Sequence, residues 1–185
     1  VKKVLDKNKV KYTEPENLYK STAKFIADGK IVAWFQGGAE FGPRALGNRS
    51  ILCKPFPKSM KDYLNFRVKF REGFRPFAPA VLEKYQKNYF KINQISPHML
   101  IASKVKDSKK SEIPAIVHID KTCRVQTVNE KLNYKFNNLL EEFNKLTKVP
   151  VLLNTSFNVK GQPIVNTPQQ AIDTFKSTNI DLLVI

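Results

Sequence analysis

The sequence predicts an α/β (α+β) sheet domain, and three observations carry that expectation. Short apolar runs alternate with amphipathic stretches of helical period along the 185 residues. Apolar residues make up 42% of the chain, enough to build a packed core and too many for a disordered one. The C-terminal unit then supplies a helix start of unusual clarity. Thr167-Pro168-Gln169-Gln170 is a capping box with proline at the first helical position, and Asp181–Ile185 after that helix reads as a buried strand.

Taken in order, residues 1–16 are polar and Lys-rich and read as a linker or arm from an upstream domain, leaving 17–185 as the folded unit. Asn17 is placed to cap a helix running to Asp28, with Ala23, Ile26 and Ala27 inward and Gly29 as the stop. Ile31–Gln36 is a short apolar run closed by Gly37-Gly38, hence a buried strand. After the loop GGAEFGPRALGNRS, Ile51-Leu52-Cys53 reads as a second strand. Pro57 starts a helix through about Phe70, with Met60, Leu64 and Val68 as its stripe. Pro76 and Pro79 make FRPFAPAVL a shaped loop or an edge strand. Met99–Val105, Ala115–Ile119 and Arg124–Val128 read as strands, Phe136–Leu146 as an amphipathic helix, and Pro150–Leu153 as a continuous apolar strand leading into Asn154-Thr155-Ser156. The final helix extends to about Lys176.

Several function classes fall away. No apolar run approaches the roughly 20 residues needed to span a bilayer, and the first ten residues lack the apolar core of a signal peptide. A cytoplasmic protein with free thiols is expected. His98 and His118 form no metal-ligand pair, and Cys53 and Cys123 lack CxxC spacing, so a protein-bound metal site is not expected. Neither a nucleophile elbow nor a P-loop occurs.

Charge distribution points further. Lys+Arg number 32 against 16 Asp+Glu, a net charge of +16, which asks for anionic partners. Lysines are spread along the chain, whereas Arg44, Arg49, Arg67, Arg71 and Arg75 fall in one window beside the glycine-rich loop; Arg124 stands apart. The guanidinium fork suits bidentate grip on phosphate or carboxylate. Arginines grouped beside a glycine-rich loop therefore suggest an oxyanion site, with loop N–H groups free to approach the anion. For Arg67 and Arg71, four apart on a helix, a solvated face is the alternative. Arg44, Lys69 and Arg75 could hold several anionic groups if they converge, and Glu72 could instead neutralise them. Asn154-Thr155-Ser156 lies where α/β sheets bind ligands, at a strand's carboxyl end, or is a plain polar turn. Chemistry here would rest on positioning and charge neutralisation.

Five segments occur in order: EFGPRALGNRSIL (40–52), MKDYLNFRVKFREGFRPFAPAVL (60–82), SPHML (96–100), RVQTV (124–128) and VPVLLNTSFNVKGQPIV (149–165). Together they closely resemble the C-terminal domain of O-carbamoyltransferases of the NodU/CmcH/TobZ type, over roughly residues 30–185. The resemblance implies a YrdC-like fold, an open twisted mixed β-sheet with flanking helices. It also implies a half-reaction in which carbamoyl phosphate and ATP, with Mg²⁺ accompanying the nucleotide, yield carbamoyl-adenylate, pyrophosphate and phosphate. An N-terminal actin/sugar-kinase-like domain of the same polypeptide, outside these residues, would transfer the carbamoyl group to an acceptor hydroxyl.

Carried over by matching position, Arg44, Lys69, Arg75 and Arg124 are the expected catalytic cations. Asn154 and Ser156 are expected to bind nucleotide or intermediate, with Arg49 a second-rank candidate and Glu40 and His118 third. Two departures from the family pattern, Gly38 and Lys121, affect positions near this pocket. The alternative function is a module binding structured RNA, since YrdC-like relatives act in tRNA modification. Under the enzyme reading, nucleic acid binds only weakly and non-specifically, and no membrane is involved.

Overall fold

The computed structural model describes residues 1–185, folded around one seven-stranded mixed sheet. In chain order the strands are β1 (Val32–Phe35), β2 (Arg49–Cys53), β3 (Ala78–Leu82), β4 (Ile101–Lys104), β5 (Thr122–Val128), β6 (Val151–Ser156) and β7 (Leu182–Val184). Across the sheet they run β4-β5-β3-β6-β2-β1-β7, so the sheet is open with β4 and β7 at its edges. Only β1/β7 and β3/β5 pair in parallel. No helix is long and apolar enough to cross a membrane.

The principal helices are α2 (Leu18–Ala27), α5 (Tyr134–Thr147) and α6 (Pro168–Lys176), with shorter ones at α1 (Lys2–Lys7), α3 (Met60–Leu64) and α4 (Gln86–Tyr89). Each principal helix starts where a side chain satisfies a free backbone N–H. The Asn17 side chain accepts from Lys20 N–H at 2.9 Å, Asn133 from Phe136 at 3.0 Å, and Thr167–Gln170 close the capping box read from the sequence. In α5, Phe136, Leu139, Leu140 and Phe143 recur at helical spacing, so one face is wholly buried and packs on α2 and the sheet. Burial of that apolar stripe is the main stabilisation of the helix layer.

The structure corrects several elements. β3 is interior rather than an edge, lying between β5 and β6. Its Pro79 is tolerated because pairing with β5 begins one residue later, at Ala80, so the missing N–H falls at the strand's start. Residues 115–119 form no strand; Pro114–Ile116 is a 3₁₀ turn whose Ala115 N–H donates to the Pro55 carbonyl. The helix expected from Pro57 begins at Met60 and widens over Asn65–Lys69 into a π-turn, ending on Phe70 in the left-handed region (φ 47°). β7 is a half-buried edge strand. Residues 1–16 include α1, whose Leu5 is buried, and Asn8 exchanges hydrogen bonds with Gln169 on α6.

Candidate active site

The sheet register assembles the site. Asn154 pairs with Ala78, and Ala80 with Gln126, which brings Arg124, two residues before Gln126, level with Ala78 and Asn154 on three adjacent strands. Side chains two apart share a face, so Arg124 and Gln126 project together. The small Ala78 between Arg124 and Asn154 leaves room for a cavity of about 150 Å³. Arg44, Arg71, Arg124, Asn154, Thr155 and Ser156 line it, with Pro43, Phe77 and Met99, and no carboxylate does. Its size admits a small phosphate ester and falls short of the roughly 300–1,000 Å³ that drug-sized ligands occupy.

Arg44 is carried over the cavity by the glycine-rich loop. The N–H groups at the loop's C-terminal end, from Leu46 to Arg49, are taken internally, that of Gly47 by Ser50 Oγ at 3.0 Å. One carboxylate oxygen of Glu40 accepts from Leu46 (2.7 Å), Asn48 (2.7 Å) and Arg49 (3.0 Å). Glu40 thus shapes the loop rather than facing the cavity. Arg49 is buried, its guanidinium donating to the carbonyls of Gln36, Asn48 and Gly37 and lying 3.6 Å from the Phe35 ring centroid. It too holds the loop, and it does not line the cavity. Gly38 is exposed and contributes no side chain.

The π-turn supplies the second wall. Asn65, buried beneath it, donates to the Arg75 carbonyl at 3.1 Å and accepts from Arg71 Nε at 2.7 Å, fixing Arg71 against the Phe77 ring. Arg71 is a cavity cation that sequence reasoning left open between ligand and surface. The available signal was its place two residues after Lys69. Arg67 turns instead to Tyr63. Arg75 is half-exposed, pairs with Glu72 at 3.0 Å, and lies outside the cavity wall.

Lys69 stands behind the wall. Its ammonium donates to the Ser156 carbonyl (2.5 Å), the Asn158 carbonyl (3.0 Å) and Asn158 Oδ1 (2.9 Å), with Ser156 Oγ at 3.4 Å. Burial, with the charge of Arg71 adding to it, lowers its pKa to about 7. No carboxylate pairs with it. Asn158, absent from the expected set, is therefore part of this cluster. His118 sits beside the cavity at the Phe77 backbone, its pKa lowered by burial. Lys121 is exposed, at positive φ in the turn before β5.

A larger groove, about 710 Å³, lies between residues 1–15, α2, α6 and β7. It is mostly apolar and gathers no arginine.

Comparison with known proteins decides the family. Residues 23–185 match the family described as "Carbamoyltransferase C-terminus". The chain belongs to that family. The carbamoyltransferase C-terminal domain is 42% identical over 194 residues to the Synechocystis protein sll1178, covering 94% of this chain and 32% of that protein. It is 46% identical over 166 residues to the nodulation protein NolNO of Sinorhizobium fredii, covering 88% of this chain and 24% of that protein. The domain thus spans about a quarter to a third of the length of these curated relatives. Among solved structures it is similar to HypF in the phosphate- and nucleotide-bound form, with a TM-score of 0.62 at 20% identity over 99% of this chain and 27% of HypF. It is also similar to P. abyssi Sua5 complexed with L-threonine, with a TM-score of 0.59 at 13% identity over 89% of this chain and 45% of Sua5. These likenesses establish the YrdC-like fold expected from the sequence.

Proposed function

We propose that this domain activates carbamoyl phosphate with ATP to carbamoyl-adenylate, which the remainder of a longer polypeptide uses to carbamoylate an acceptor hydroxyl. The observation that carries this reading is the convergence of Arg44, Arg71 and Arg124 on one cavity with no carboxylate in its wall. Three like charges sharing so small a volume repel one another until an anion enters, so a phosphorylated substrate is what the arrangement favours. The family membership and the nucleotide-bound HypF neighbour support the chemistry.

The cavity takes the smaller substrate, and the nucleotide lies across its mouth, against the Pro43–Arg44 loop. Water attacks the carbamoyl carbon of carbamoyl phosphate, the bond from that carbon to the phosphate oxygen breaks, and carbamate, inorganic phosphate and a proton result, with the arginines neutralising the departing phosphate. The carbamate oxygen, held in the same place, then attacks the α-phosphorus of ATP; carbamoyl-adenylate forms and pyrophosphate leaves. Holding the carbamate in line and offsetting charge on the transferring group are the domain's contributions. Lys69 acts at the wall, keeping Ser156 and Asn158 in register with the arginines. Mg²⁺ accompanies the triphosphate of ATP as part of the substrate.

The test is pyrophosphate release. It is expected from ATP only when carbamoyl phosphate is present; carbamoyl phosphate-independent release, or none in the full-length protein, overturns the proposal.

A further inference from the structure

We infer that Asn65 is a positioning residue for the anion site: it holds Arg71 at the cavity and keeps it from pairing with Glu72. This deepens, and rests on, the carbamoyl phosphate reading. Asn65 is 1% exposed and opens the π-turn. Its Nδ2 donates to the Arg75 carbonyl at 3.1 Å and reaches the Gly73 carbonyl at 3.4 Å, while its Oδ1 accepts from Arg71 Nε at 2.7 Å. The Arg71 backbone N–H returns to the Asn65 carbonyl at 3.2 Å. Turning the amide over would set its NH₂ against the Arg71 Nε–H and its oxygen against two carbonyls. The amide orientation is therefore imposed by its neighbours.

What matters is which edge of the guanidinium this leaves. Nε is taken by Asn65, and one face lies over Phe77, with Cζ 4.8 Å from the ring centroid. The protein supplies no acceptor to either Nη group, and Arg71 lines the cavity. Arg71 thus has its Nη1–Nη2 end to offer, a fork that suits two oxygens of one phosphate. A competing partner stands next to it in the chain. Glu72 is half-exposed, meets Arg75 Nε at 3.0 Å and lies 3.8 Å from Lys160 Nζ. Its charge acts on Arg71 as well, opposing the burial and the Arg75 charge that lower the Arg71 pKa. An unrestrained arginine beside a carboxylate pairs with it, as Arg75 does. Asn65 prevents this and is itself neutral, so it orients Arg71 without cancelling the charge an anion needs. A carboxylate in its place would cancel it.

The experiment is a double-mutant cycle read by calorimetric titration with carbamoyl phosphate and with inorganic phosphate, alongside urea denaturation. Asn65→Ala is expected to weaken binding of both about tenfold, the scale of one charge-assisted hydrogen bond. In the Arg71→Ala background the same change should move affinity about twofold or less, while its cost in stability persists in both backgrounds. Adding Glu72→Gln to Asn65→Ala should recover about twofold to fivefold, because Arg71 loses its alternative partner. Arg71→Lys leaves Asn65 intact. A lysine drawn to Asn65 Oδ1 has no fork to present, so this variant should bind no better than Arg71→Ala. An equal binding loss from Asn65→Ala with and without Arg71, or no loss in a folded variant, overturns the inference and leaves the carbamoyl phosphate reading standing. So does unaltered affinity in Arg71→Lys, which decides the question even where Asn65→Ala does not fold. Binding of neither phosphate by the unaltered protein overturns the reading beneath it as well.

Discussion

Arg44 and Arg124 face the same cavity from a loop and a strand far apart in the chain, with no carboxylate between them. Arg124 feels this: burial first, and then the positive charge of Arg44, lower its pKa. Like charges so placed store unfavourable interaction in the empty site and release it when an anion binds. Affinity for the ligand and stability of the free fold therefore pull against each other here.

Arg124→Ala should accordingly weaken carbamoyl phosphate binding by roughly tenfold to a hundredfold, as expected for losing a charge-assisted hydrogen bond of about 1.5–3 kcal/mol. The melting temperature of the ligand-free protein should stay the same or rise. Arg75→Ala, which removes a half-exposed side chain already paired with Glu72, should leave folding intact and weaken binding less than Arg124→Ala. Titration and thermal melts of both variants check this, and the reverse order of effects would place Arg75 in the site and Arg124 outside it.

Lys69 makes ligand binding depend on pH. Its ammonium loses its proton as pH rises through about 7, whereas an unfolded chain keeps it to near the ordinary lysine value of 10.5. Between those values the unfolded state holds more protons, so this group's contribution to stability grows with pH; below about 7 it is constant. Binding runs the other way. An entering phosphate favours the charged amine, so affinity should fall from pH 6 to pH 8 and binding near pH 7.5 should take up protons. Calorimetry in buffers of different ionisation enthalpy measures that uptake, which Lys69→Met should abolish.

Gly47 sets how closely the loop approaches α5. A Cβ there would lie 2.2 Å from Phe136 Cδ1, at φ +102°, and the Gly47 carbonyl also accepts from Trp34 Nε1 at 2.9 Å. Gly47→Ala should cost about 2–4 kcal/mol, combining overpacking with a disfavoured backbone region. Urea denaturation measures this. Combining it with Phe136→Leu should recover the packing part and leave the backbone part.

Much of the fold was legible because local rules sufficed. Asn17 and Thr167 mark helix starts, and the stripe of α5 shows its buried face. Pro79 misled because a proline's tolerance in a sheet depends on which residue the neighbouring strand first pairs with, and that is a property of the partner. The π-turn was equally out of reach: Met60, Leu64 and Val68 fit an ordinary helix, and the widening depends on Asn65 bonding to residues up to ten positions away.

From its amino acids alone, this chain disclosed a mixed sheet domain, a family likeness and a set of cations suited to phosphate, since caps, periodicity and ordered motifs are written locally. Which cations meet was settled only by folding. Arg44, Arg71 and Arg124 share a cavity, Arg49 is buried against backbone carbonyls, and Arg75 turns to Glu72. The physical reason is that a guanidinium's role depends on which acceptors lie within hydrogen-bond reach, and strand register, not sequence spacing, puts them there.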